Sequence, residues 1–288
     1  MVLYYCKYGS LRDNVSRANY YIGYETKISY LSDIARGLRD IHNAGKVHKD
    51  FHSGNILFDY GPYVGDLGMC QPANNEGQSA VKKEGVYGVL PYMAPEVLCG
   101  HQYTKAADIY SFGIVMNELM SEEIPFSDIP HNHILSVKIC KGLRPKISED
   151  TPKLLTDLIM KCWDAEAVNR PTAYELYQIL KKWNIECGND DYNSCDDDSK
   201  IDKNSEIYIQ IEKCEKIRKS KSKINSNENK SSNIQTHPQA IYTSRLFNFK
   251  NLPNPVNSSL FKFNSGNFNL ILLQRKFIYI NYYLLLMF

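Results

Sequence analysis

Net charge, paired cysteines and uninterrupted apolar sequence are all scarce in this 288-residue chain. A balance of 34 basic against 32 acidic residues leaves a formal charge of +2, too weak a field to draw in nucleic acid or an acidic membrane surface. Neither is an expected partner. Eight cysteines stand at 6, 70, 99, 140, 162, 187, 195 and 214, with no C-x-x-C and no Cys/His cluster. That pattern excludes the usual zinc and disulfide frameworks and reads as free thiols in a reducing compartment, the cytoplasm. The opening MVLYYCKYGSLRDN lacks the basic start and apolar length of a secretory signal. The apolar ending, residues 268–288, is interrupted by Gln274-Arg275-Lys276 and Asn281. A charge at mid-membrane costs about 2.5–3.5 kcal/mol per Arg or Lys on insertion scales, so a spanning helix is not expected. A peripheral anchor, or a tail foreign to the fold, are the two readings left open.

What is present is an ordinary globular composition, 43% apolar with 12 Pro and 16 Gly, up to a sharp change near Gly188. Before it, Ile28 to Ala44 carries Ile28, Leu31, Ile34, Ala35, Leu38 and Ile41 at helix spacing, and Gly45 stops it. Ala107 to Glu118 is apolar almost all round, the mark of a buried helix. Leu154–Trp163 and Thr172–Trp183 read as amphipathic helices; Val2–Tyr5 and Val64 read as short strands. Residues 187–250 are rich in Asn, Ser, Lys and Asp and read as a mostly disordered linker. Within it, 206–219 is expected as a solvated helix, with Glu212 and Glu215 each near a basic residue three or four positions on. Residues 251–288 form the irregular apolar tail.

The chemistry-bearing residues lie close together in sequence. His48-Lys49-Asp50-Phe51-His52-Ser53-Gly54-Asn55 is followed by Asp66-Leu67-Gly68, Ala94-Pro95-Glu96 and Asp108-Ile109-Tyr110-Ser111-Phe112-Gly113. Phosphoryl transfer asks little covalent work of a protein; it needs a positioned acceptor hydroxyl and cations to offset phosphate charge. Asp50 suits the first need, and Asn55 and Asp66 offer hard oxygens to Mg²⁺ for the second. A lone H-x-D or D-x-G is a common turn or cap, but four motifs in this order are not accidental.

In these motifs residues 1–186 resemble the hinge and C-terminal lobe of a eukaryotic protein kinase, closest to the tyrosine-kinase-like group. The resemblance implies an α+β family fold, here mostly helical with short strands, lacking most of the β-rich N-terminal lobe. It implies ATP and Mg²⁺ as cofactors and a protein substrate or docking partner, with oligomeric state open. Leu3 to Cys6 would be the last strand and hinge, with Tyr5, Cys6 and Ser10 beside the nucleotide. Leu57 would lie under the adenine or simply in strand core. His48 and Leu67 would stack in an internal apolar column. Glu96 would pair with Arg170, and Asp108 would accept hydrogen bonds from the catalytic-loop backbone.

Four positions depart from the family pattern. Lys49 stands for Arg, His52 for the lysine near the transferred phosphate, Val89 for a Thr bonded to the catalytic aspartate, and Leu67 for Phe. Only 47 residues precede His48, which leaves no room for the Gly-rich loop and strand lysine, so the sequence alone predicts negligible kinase activity for this chain. Asp50, Asn55 and Asp66, with Lys49 and His52 beside them, form the candidate catalytic set. Leu67 to Met93 would be the activation loop, in which Tyr87, among Ser79, Tyr87 and Tyr92, is a phosphorylation candidate or a packing tyrosine. A catalytically silent module that docks partner proteins is the alternative reading.

Overall fold

A computed structural model of the chain describes residues 5–16, 22–73, 85–189, 201–225 and 236–257. Its helices are α1 (Leu11–Ser16), α2 (Tyr24–Asn43), α3 (Pro95–Leu98), α4 (Lys105–Ser121), α5 (His133–Cys140), α6 (Lys153–Cys162), α7 (Ala173–Glu186) and α8 (Glu206–Asn225). Short strands join in antiparallel pairs: β1 (Lys46–Val47) with β4 (Gln71–Pro72), β2 (Ile56–Phe58) with β3 (Pro62–Val64), and β5 (Val86–Gly88) with β6 (Arg245–Phe247).

Helix α4 runs through the centre, buried on every face from Ala107 to Met120 as its lack of polar periodicity requires. It lies close against α6 because Gly113 has no side chain. A Cβ placed there would come within 2.7 Å of Cys162 Cβ. Helix α2 buries Ile28, Leu31, Ile34, Ala35 and Leu38 of the predicted stripe, leaves Ile41 half-buried, and is followed by Gly45 with φ +70, a left-handed turn that glycine adopts without steric cost. Two helices carry their own caps. Asn132 Oδ1 accepts from the Ile134 amide at the start of α5, and Thr172 with Glu175 forms a capping box on α7.

Arg170 is fully buried and holds Glu96 with two parallel bonds, Nη1 to Oε1 at 2.7 Å and Nη2 to Oε2 at 2.8 Å. Its remaining N–H groups reach the carbonyls of Asp164 (2.8 Å) and Ala106 (2.9 Å). The expected architectural pair is therefore formed, with its buried charge satisfied on every side.

The structure differs most from the sequence reading inside residues 187–250, expected as a mostly disordered linker and found to contain α8 and β6. Helix α8 is not merely solvated: Ile207, Ile211 and Cys214 are buried, an i, i+4, i+7 stripe hidden among lysines. Lys216 pairs with Glu212 at 3.3 Å as the spacing predicts. Glu215 instead turns inward, where its Oε1 accepts from the Tyr24 amide at 3.1 Å. This corrects the expected local pairing, and the reason is that Gly23, the N-cap residue of α2, has no side chain with which to cap. Arg218 of the same helix reaches Glu122 Oε1, which also holds the buried Lys27 ammonium at 2.8 Å.

The expected strand at Val2–Tyr5 falls partly outside the described residues, and Tyr5 is 79% exposed in no strand. Leu67 is 55% exposed, so it does not stack with the fully buried His48; it starts a short 3-10 turn that points its side chain away from the core. Residues 258–288, with most of the expected apolar tail, and Ser79 lie outside the described residues. No helix among the described residues is long and apolar enough to cross a membrane.

Candidate functional site

The loop between β1 and β2 carries the H-x-D motif, and Asp108 of α4 fixes its backbone. Asp108 Oδ2 accepts from the His48 amide at 2.8 Å and its Oδ1 from the Lys49 amide at 3.1 Å; His42 Nε2 lies 2.9 Å from Oδ2. The role expected of Asp108 is thus observed. One carboxylate clamps two successive amides and lets Lys49 adopt φ 71, a conformation costly for a residue with a Cβ unless its surroundings impose it. Lys49 Nζ is held by Gln71 Oε1 at 3.1 Å on β4, the partner of β1.

Asp50 is 6% exposed. Burial opposes its ionisation, but the His52 imidazole and the Ser244 hydroxyl outweigh that and hold its carboxyl below the ordinary carboxylate range. It is accordingly a base at neutral pH. His52 Nδ1 accepts from the Gly54 amide at 3.0 Å and lies 3.3 Å from Arg12 Nη2, so the ring proton belongs on Nε2. That nitrogen sits 3.6 Å from Asp50 Oδ1 and 3.5 Å from Ser244 Oγ.

The metal-ligand candidates lie at one end of the β2–β3 hairpin. Register Ile56↔Val64 sets Asn55 opposite Gly65, whose amide donates to Asn55 O at 2.8 Å, and Asp66 follows directly. Asn55 spends its amide nitrogen on the Asp50 carbonyl at 2.9 Å, which leaves Oδ1 as its outward group. Asp66 is exposed and left-handed (φ 52), with Oδ1 accepting from the Gly68 amide at 3.3 Å. His48 ties the two segments together, its Nε2 3.0 Å from Gly65 O. His48 is therefore a buried strut, as expected. Two hard side-chain oxygens suit Mg²⁺, which completes its shell with phosphate and water rather than with a protein cage.

On the nucleotide side, Tyr8 N donates to Phe58 O at 3.0 Å and Phe58 N to Gly9 O at 2.8 Å, so residues 8–10 run beside β2 and bridge Ser10 to Leu57. Leu57 is half-buried and Cys6 partly exposed. Ser10 is buried, its hydroxyl donating to Asp13 Oδ2 at 2.8 Å and accepting from the Asp13 amide at 3.2 Å at the start of α1. Tyr87 lies across from Leu246 in the β5–β6 ladder and is 43% exposed. Tyr92 is buried, its hydroxyl donating to Glu118 Oε2 at 2.7 Å and lying 3.0 Å from Ser53 Oγ. Val89 is also buried and offers Asp50 no hydrogen bond, as its side chain dictates.

Sequence reasoning missed Arg12, which touches His52, and Ser244, whose hydroxyl donates to Asp50 Oδ2. Arg12 sits in an amphipathic turn with nothing to distinguish it. Ser244 lies in a polar stretch where only the apolar residues Leu246 and Phe247 beside it hint at a strand.

The geometry converges with the comparisons to known proteins. The model of the family "Protein tyrosine and serine/threonine kinase" matches residues 1–180. Among similar proteins, a probable LIM domain-containing serine/threonine-protein kinase of Dictyostelium discoideum is 33% identical over 178 residues, 61% of this chain and 27% of the relative. A serine/threonine-protein kinase of Arabidopsis thaliana is 29% identical over 185 residues, 64% of this chain and 32% of the relative. A putative serine/threonine-protein kinase/receptor of Acanthamoeba polyphaga mimivirus is 33% identical over 184 residues, 62% of this chain and 11% of the relative. The chain thus spans a third or less of these relatives. Its helical body with a few short strands and its H-x-D loop pinned from α4 agree with the match: the chain belongs to the protein tyrosine and serine/threonine kinase family.

Proposed function

We propose that this chain carries the acceptor and metal side of a serine/threonine protein kinase of the tyrosine-kinase-like group. The observation that carries the reading is Asp50: buried, ionised and on a loop clamped by Asp108, with Asn55 and Asp66 beside it. Asp50 would orient the acceptor hydroxyl and take its proton as the oxygen attacks. His52, whose Nε2 lies 3.6 Å from Asp50 Oδ1, sets an imidazole where an ammonium is usual, a weaker offset to developing charge. Asn55 Oδ1 and Asp66 would hold Mg²⁺, which supplies charge neutralisation on the ATP phosphates. Leu57, Cys6 and Tyr5 mark the edge on which the adenine would rest.

The silent docking module has one observation in its favour. Lys49 Nζ donates to Gln71 Oε1 at 3.1 Å, and an imidazole, His52, stands where an ammonium is usual. Thermal unfolding of the full chain with Mg-ATP separates the readings. A ligand at 100 times its Kd stabilises the native state by about 2.7 kcal/mol, and Asp66→Ala should abolish that gain. No stabilisation in the unaltered chain at millimolar Mg-ATP would reject the nucleotide-binding reading.

A further inference from the structure

The segment that follows α8 returns to the site. Ser244 donates to Asp50 Oδ2, and the next three residues pair antiparallel with β5 in the register Gly88↔Arg245, Tyr87↔Leu246, Val86↔Phe247. The preceding residues are also seated. Tyr242 O accepts from Arg12 Nη1 at 2.7 Å, its ring meets His131 edge-on at 4.7 Å, and its hydroxyl donates to Pro125 O at 2.8 Å. Arg245 Nη2 donates to His131 O at 2.6 Å, and Phe247 is 8% exposed and stacked on Phe249. Leu246 points into solvent, 64% exposed. An extended strand that adds to a sheet edge and drops alternate side chains into pockets is a general mode of peptide recognition. Here the side chain dropped beside the candidate base is a hydroxyl.

We propose that residues 241–247 fill the acceptor-peptide groove of their own chain, with Ser244 seated as the phosphoryl acceptor. The groove so defined takes an extended peptide with a short hydroxyl side chain, an aromatic ring two residues before it and another three residues after. A serine reaches Asp50 from a backbone paired with β5; a tyrosine, several ångströms longer, does not fit the same backbone path. This rests on the kinase reading given above. In the transfer, Ser244 Oγ bonds to the γ-phosphorus of ATP, the bond from that phosphorus to the β,γ-bridging oxygen breaks, ADP leaves, and the hydroxyl proton passes to Asp50. The resulting phosphoserine carries about −1.5 to −2 charges and, once Asp50 has released the proton to solvent, is repelled by the carboxylate and expelled. Until then the strand, as a tethered competitor, blocks external peptides. At an effective concentration of about 1 mM it weakens the apparent binding of a free peptide with a ~10 μM Kd by roughly 100-fold.

The test uses the full chain and a fluorescent peptide copying residues 239–249. Leu246→Pro breaks β6 at the position whose side chain is solvent-exposed, so the lobe keeps its core. The expected result is loss of hydrogen-exchange protection at Val86–Gly88, with peptide binding by anisotropy at least about 10-fold tighter than in the unaltered chain. A copy with Glu in place of the serine should bind Leu246→Pro at least about 10-fold more weakly than the native copy. Equal peptide affinity in the two chains, despite an opened strand, overturns the proposal, as does indifference to the Glu. Intact-mass analysis after Mg-ATP treatment decides the acceptor. Phosphate on Ser244 at a rate independent of protein concentration supports it, and phosphate on the added peptide but never on Ser244 overturns it. Phosphate nowhere, with the binding results as expected, removes the catalytic reading and Ser244 as an acceptor while upholding occupancy of the groove.

Discussion

Replacing Arg170 with Ala removes the guanidinium that joins the Glu96 end of the candidate activation segment to the body. The substitution deletes two charge-assisted bonds to Glu96 and the donors to the Asp164 and Ala106 carbonyls, and it uncovers the Tyr110 ring over which the guanidinium lies at 5.2 Å. Glu96 is left with a side chain only 13% exposed, so it regains little hydration. Breaking a buried pair from one side costs about 3–5 kcal/mol. With an m-value near 3 kcal/mol/M in urea, that is a midpoint lowered by about 1–2 M. Arg170→Lys should recover part of the loss, since it keeps the charge without the planar fork. A Glu96→Ala, Arg170→Ala double variant should cost clearly less than the two single changes added together. A midpoint moved by less than about 0.3 M, or additive single effects, would refute the assignment.

Two further substitutions probe the interior. Burial raises the Glu118 carboxyl from 4.5 to about 7, against the opposing hydrogen bonds of Tyr92 and Ser53. The unfolded chain releases that proton first, so between these values the folded state holds more protons and stability falls as pH rises, by on the order of 3 kcal/mol, then levels off above 7. Glu118→Gln should flatten this slope in urea titrations from pH 5 to 8; an unchanged slope would mean that another group titrates. Gly113→Ala places a Cβ 2.7 Å from Cys162 Cβ. The overpacking, about 1–3 kcal/mol, should outweigh the helix gain of about 1 kcal/mol and lower Tm. Adding Cys162→Gly should restore part of it, and a Gly113→Ala protein that melts no lower than the parent would disprove the close approach.

The body of the fold was legible because its signals are local or compulsory. The stripe of α2 repeats every turn, Gly45 follows its end, and a charge such as Arg170 or Asp108 inside apolar sequence must find a partner. The H-x-D, Asn55 and Asp66 positions were legible for a similar reason, since β2 and β3 form a tight hairpin that keeps sequence neighbours together. Two kinds of information were not readable. Leu67 replaced an aromatic without changing its apolar character, yet which way it points depends on the Asp66 turn. The parts of α8 and β6 that bind the body are a narrow stripe and a three-residue strand in polar surroundings, where composition favours disorder and the partners lie far away in sequence.

The separation between Asp50 and Ser244, 194 residues, also sets an order in time. A ribosome adding about 5–20 residues per second needs roughly 10–40 s to pass from one to the other. His48, Asp50 and Asp108 can all be in place well before the seryl strand exists. Each newborn molecule thus passes through an interval in which its groove stands open to whatever extended chain is nearby, and closes only as its own tail emerges. Nascent-chain complexes stalled before and after residue 244 would differ in exactly that access.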